Sequence, residues 1–120
     1  MKERGIVAGR DFAPIIFYTP YFKTDVVLTS ERRMHILSRH SDLGHSERLV
    51  TMILETLHAP AIVQRSRTDK EGTVFAKWHP KLHNGKFLLV VVIDGPERKW
   101  IITAYSSHEI PEGEILWQED

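Results

Sequence analysis

Seven consecutive apolar residues, Phe87-Leu88-Leu89-Val90-Val91-Val92-Ile93, constrain the fold of this chain more than any other stretch. A strand with one wet face alternates apolar and polar residues, so an unbroken run suits a central strand covered on both faces. Its surroundings also read as strands and turns. Ala61 to Arg65 is a short strand, and Asp69-Lys70-Glu71-Gly72 is a turn. Thr73 to His79 alternates, with Val74, Ala76 and Trp78 on one face and Phe75, Lys77 and His79 on the other. Pro80 to Gly85 turns again, Asn84-Gly85 being the typical left-handed pair. After Asp94-Gly95-Pro96, Trp100 to Tyr105 forms a fourth strand. Simple alternation puts Ile101, Thr103 and Tyr105 on one side of it and Trp100, Ile102 and Ala104 on the other. Short turns make sequential antiparallel pairing the simplest order. Ile115-Leu116-Trp117 is a candidate edge strand.

Helical signals precede Ala61. Residues 1–13 read as an irregular lead-in, Pro14 to Thr19 as strand-like until Pro20 stops it, and Asp25 to Leu28 as a second short apolar run. Thr29-Ser30-Glu31 opens a helix over residues 31–40, with Ser30 as cap and Glu31 suited to the positive end of the dipole. Gly44 suits a left-handed stop. Ser46 caps a second helix over residues 47–58, apolar along Leu49, Val50, Met52, Ile53, Leu54 and Leu57, and Pro60 ends it. The expected architecture is α+β, with two N-terminal helices packed on a four-stranded antiparallel sheet. Residues 1–24 read as an N-terminal extension and residues 25–120 as one domain.

Composition sets outer bounds. A chain of 120 residues suits a single domain with a real core. With no cysteine, disulfide frameworks and Cys-based zinc sites are excluded, and a reducing cytoplasm is the expected compartment. The formal net charge is +0, unlike a bulk electrostatic nucleic-acid binder, although a local basic patch is compatible with it. No apolar run approaches the ~20 residues of a membrane helix, and the basic first residues lead into no signal-peptide core. Neither a membrane partner nor a cofactor is expected.

The densest chemistry lies in Glu31-Arg32-Arg33-Met34-His35-Ile36-Leu37-Ser38-Arg39-His40. At about 100° per residue, Arg32, His35 and Arg39 share one side and Met34 and Leu37 the other. A helix packing through Met34 and Leu37 presents an imidazole between two guanidinium groups, an arrangement for gripping phosphate and moving a proton. Lys77 sits within a strand, where lysine is depleted. If strands align, Lys77, Thr103 and Tyr105 lie across one sheet surface bordered by that helix. This set suits metal-independent RNA cleavage. A base takes the 2′-OH proton, cations stabilise the phosphorus centre, and an acid protonates the leaving 5′ oxygen, giving a 2′,3′-cyclic phosphate. His35, His40 and His45 are spaced by five, not the three or four of helical zinc motifs, so no metal is expected.

The run Leu28-Thr29-Ser30-Glu31-Arg32-Arg33-Met34-His35-Ile36-Leu37-Ser38-Arg39-His40 resembles the opening motif of small phage- and mobile-element-associated nuclease domains of the barnase–EndoU–colicin–RelE (BECR) superfamily. Ala59-Pro60, Ala76-Lys77-Trp78, Leu88 to Ile93 and Ile101-Ile102-Thr103-Ala104-Tyr105 follow in the same order. The likeness spans residues 25–106 and leaves 1–24 without a counterpart. It implies a four-stranded α+β fold and ribonuclease activity, often as a toxin, with an antitoxin or immunity protein as the candidate protein partner. It places the active-site types on His35, Arg39, His40, Lys77, Thr103 and Tyr105. His35 or His40 is then the base, and the other, or Tyr105, the acid. Arg39 and Lys77 neutralise the phosphate, and Thr103 hydrogen-bonds it.

Each of these residues has a plainer alternative. His35 pairs with Glu31; His40 closes a helix end; Arg39 bridges to Asp42 or Glu47; Lys77 is a solvated edge-strand lysine; Thr103 and Tyr105 are ordinary strand formers. Arg32 and Arg33 make a solvated face with incidental RNA contact, and His79 is a surface residue at the edge of the site. The rival function is a non-catalytic module that binds nucleic acid or protein on the same fold.

Overall fold

The computed structural model describes residues 13–120, so nearly all of the expected lead-in lies outside the described residues. Strand β1 (Ile15–Thr19) ends before Pro20 and pairs antiparallel with β2 (Thr24–Leu28). Helix α1 (Ser30–Arg39) follows at once. Its cap is Thr29, not Ser30: the Thr29 backbone is extended and its hydroxyl accepts the Arg32 N–H at 3.2 Å. A 3₁₀ turn (Ser41–Leu43) stops at Gly44, whose φ of 88° needs no Cβ. Helix α2 (Ser46–His58) leads into β3 (Ile62–Arg65), β4 (Gly72–His79), β5 (Lys86–Asp94), β6 (Lys99–Ser107) and β7 (Ile115–Gln118).

These strands form one seven-stranded sheet in the order β1-β2-β6-β5-β4-β3-β7. The sequential meander occupies β3 to β6, but the expected four-stranded antiparallel sheet is incorrect. The sheet is mixed, because β2 runs parallel to β6 through Val27 and Trp100. Both outer strands of a four-stranded meander would carry unpaired backbone groups, and the chain's ends cover them. The β1–β2 hairpin joins β6, and β7 joins β3. These added strands are short, so their sequence signals are weak beside the meander.

Both helices pack on one face. Leu49, Ile53 and Leu57 of α2 and Ile36 of α1 are buried with Phe17, Val26, Leu28, Phe75, Leu88, Val90 and Ile101. Thr19 ties β1 to this layer by donating its hydroxyl to the Leu57 carbonyl at 2.9 Å. The orientation expected for α1 is corrected here: Met34 is 48% exposed, while Ile36 is 0% exposed and anchors the helix. On the second face, Ile62, Ala76 and Leu89 are buried with help from Ile110. The chain leaves β6 beside β5 and must reach β7 beyond β3, so residues 108–114 cross this face. That crossing explains why β5 is apolar on both sides. Among the described residues no helix is long and apolar enough to cross a membrane.

Candidate active site on the second sheet face

Register decides which side chains can meet. Lys77 pairs with Leu88 and so with Ser106, whereas Tyr105 pairs with the next residue, Leu89. Neighbours along a strand face opposite ways. Lys77 is therefore on the helix-covered face, and its ammonium donates to the Ala59 carbonyl at the end of α2, 3.0 Å away. Thr103 and Tyr105 are on the second face. The expected alignment of Lys77 with these two hydroxyls is overturned.

A β-bulge resets the alternation within β6. Val91 pairs with Thr103 and Val92 with Ile101, leaving Ile102 unpaired. Ile101 thus turns into the helix-side core, and the expected grouping of Ile101 with Thr103 and Tyr105 fails.

His79 is also corrected. It is only 6% exposed and packs on the helix-covered face, not at a surface site edge. Its Nε2 lies 2.9 Å from the Thr56 hydroxyl, which donates its own proton to the Met52 carbonyl. The hydroxyl oxygen must therefore accept, and Nε2 carries the hydrogen. Burial pushes the His79 pKa down, Glu55 pulls it partly back, and Lys77 adds to the lowering.

Thr103 and Tyr105 line a cavity of about 510 Å³. Val74, Leu89 and Val91 supply its apolar floor; Arg67 and Asp69 come from the β3–β4 loop, and Glu112 from the crossing segment. Gln64 pins that segment by donating to the Pro111 carbonyl at 3.1 Å, and Arg65 binds Glu114 at 2.9 Å. Burial raises the Tyr105 pKa, so the phenol is a neutral donor at physiological pH.

Helix α1 reaches this face just past its last residue. After its single ladder pair with Trp100, β2 gives way to α1, which takes over the flank of β6. Arg32 fastens it: one guanidinium nitrogen donates to the bulged Ile102 carbonyl at 3.1 Å, and two bind Glu31 at 2.8 and 3.0 Å. The Arg32 hydrogen bond holds the Glu31 carboxyl below the usual range, with a smaller contribution from His35. Arg32 therefore serves as a structural tie rather than a group turned to substrate. His40, at the helix end, places its ring 6.2 Å from that of Tyr105, centroid to centroid, tilted by 35°. Arg39 is exposed beside it; Arg33 and His35 are partly buried along the helix. The structure thus brings His40, Tyr105 and Thr103 to one region and excludes Lys77 and His79.

The residues alone do not signal the crossing segment that walls the cavity, nor the hold of the 41–43 turn on β6, where Asp42 accepts the Ser106 hydroxyl. The polar Ser41-Asp42 after a helix end was the available signal for the turn. Among the described residues no three His, Asp or Glu side chains gather as metal ligands would. No family model, curated protein or solved structure matches the chain.

Proposed function

We propose that this protein is a metal-independent endoribonuclease of BECR type whose reaction centre is the second sheet face at His40, Tyr105 and Thr103. The observation that supports this reading is the 6.2 Å approach of the His40 and Tyr105 rings beside the 510 Å³ cavity that Tyr105 and Thr103 line. A nucleotide on the apolar floor puts its phosphate near these groups. His40 takes the ribose 2′-OH proton, the 2′ oxygen attacks phosphorus, and the bond to the 5′ oxygen breaks. Tyr105 gives its proton to that leaving oxygen, an alkoxide far more basic than a phenolate. Thr103 donates to a phosphate oxygen, and Arg39 supplies positive charge. The products are a 2′,3′-cyclic phosphate and a 5′-hydroxyl. Solvent then returns the proton from His40 to Tyr105.

The test is incubation with RNA in EDTA. Cleavage with cyclic-phosphate ends is expected, falling about 10²–10⁴-fold in His40→Ala and Tyr105→Phe. Equal cleavage by both variants overturns the assignment. A toxin role, with an antitoxin as partner, adds growth arrest on cytoplasmic expression that His40→Ala relieves. The second reading is a non-catalytic RNA- or protein-binding module. What favours it is the diversion of Lys77 to Ala59, which removes a cation from the phosphate site. Retarded but intact RNA supports that module.

A further inference from the structure

The reaction assigned above needs His40 held against Tyr105, yet His40 lies just past the last helical residue, with φ −130° and ψ 65°. Helix ends fray because their last carbonyls lack partners within the helix. Two backbone bonds steady this end: the His40 N–H donates to the Ile36 carbonyl at 2.9 Å, and its carbonyl accepts from Leu43 at 3.0 Å. Neither reaches the sheet.

Asp42 does reach it. Its Oδ2 accepts the Ser106 hydroxyl at 2.5 Å, and its backbone carbonyl lies 2.9 Å from His83 Nε2. A carbonyl only accepts, so that nitrogen carries a hydrogen and donates it. The same nitrogen stands 3.8 Å from the Asp42 carboxylate. His83 makes this contact from a left-handed backbone with φ 49°, a conformation that disfavours a residue with a Cβ. The turn therefore straddles the edge of β6. Asp42 grips Ser106 on the helix-covered side, while His40 reaches Tyr105 at the second face.

We propose that Asp42, clamped by Ser106 and His83, is a positioning residue for His40. Ser106 and Tyr105 are consecutive on β6, and His40 and Asp42 are two residues apart. The Asp42–Ser106 bond thus closes a small ring of chain that includes both partners of the His40–Tyr105 pair. The ring sets their spacing. Ser106 faces away from the cavity, so neither Asp42 nor Ser106 touches substrate. The inference rests on the reading of His40 above, and small displacements of a reacting group cost about 10²-fold.

Two measurements test it separately from that reading. The first is the proton NOE between the His40 and Tyr105 rings, which needs no activity. It is expected in the native protein and lost in Asp42→Ala and Ser106→Ala, with thermal melts confirming that at least one variant folds. An NOE that persists in a folded variant overturns the proposal. The second is a double-mutant cycle on RNA cleavage. Asp42→Ala should lower kcat roughly 10- to 100-fold with KM little changed, and should cost nothing further in a His40→Ala background. Asp42→Asn, which keeps an acceptor for Ser106, should recover most of the rate. Additive losses, or a rise in KM alone, overturn positioning. If His40→Ala cleaves RNA as well as the native protein does, the assignment of His40 as the base falls, and the NOE still decides the clamp.

Discussion

Lys77 and Tyr105 stand on opposite faces of one sheet, because they pair with Leu88 and Leu89, consecutive residues of β5. A side chain's face is a matter of parity along the strand, so a shift of one residue is decisive. For Lys77 the consequence is measurable. Lys77→Ala should leave RNA cleavage unchanged while removing the bond to the Ala59 carbonyl, a loss of about 1 kcal/mol or less in denaturant unfolding. A hundredfold loss of cleavage at unchanged stability would return Lys77 to the reaction centre.

His79 should make stability depend on pH. Its folded pKa lies below its ordinary value of about 6.5, chiefly through burial. The unfolded chain therefore binds the proton more readily. The stability contributed by burying neutral His79 is present above about pH 6.5 and is lost as pH falls towards the folded pKa. The difference in unfolding free energy between the native protein and His79→Gln should shrink from pH 7.5 to pH 5. A difference that is constant over this range would contradict the burial argument.

The orientation of α1 predicts unequal costs for neighbouring truncations. Ile36→Ala removes a fully buried side chain and should cost about 2–5 kcal/mol. Met34→Ala, at a half-exposed position, should change stability by about 0.5 kcal/mol or less. Urea unfolding of both variants tests this, and the reverse ranking would put the helix's packing stripe back on Met34.

Gly85 ends the β4–β5 turn with φ 110°. A Cβ there would lie 2.4 Å from Cζ2 of the Trp78 indole. Trp78 is 46% exposed and has room to shift, so the backbone conformation carries most of the penalty. Gly85→Ala should destabilise by about 1–3 kcal/mol, read from the midpoint of chemical unfolding. Unchanged stability would mean that the turn relaxes without strain.

Local patterning made much of the architecture readable. Helix α2 lies within a residue of the 47–58 amphipathic segment, and β4, β5 and β6 follow their apolar runs. Gly44 takes the expected left-handed backbone. The candidate site was less accessible. Thr103 and Tyr105 share a face as alternation requires, but the pairing that puts Lys77 on the other face is set across strands. His40 carries the Tyr105 contact because α1 turns on Ile36 rather than Met34, a choice made by the partner surface.

By itself, the amino-acid order determined the meander, two helices and their stops, because hydrophobic period, caps and turn residues act over a few neighbours. Only the tertiary structure decided where the three further strands join the sheet, that Ile102 bulges, and that His40 meets Tyr105 while Lys77 does not. Those outcomes depend on pairing register and on backbone groups needing partners far along the chain, and neither is encoded within a single local segment.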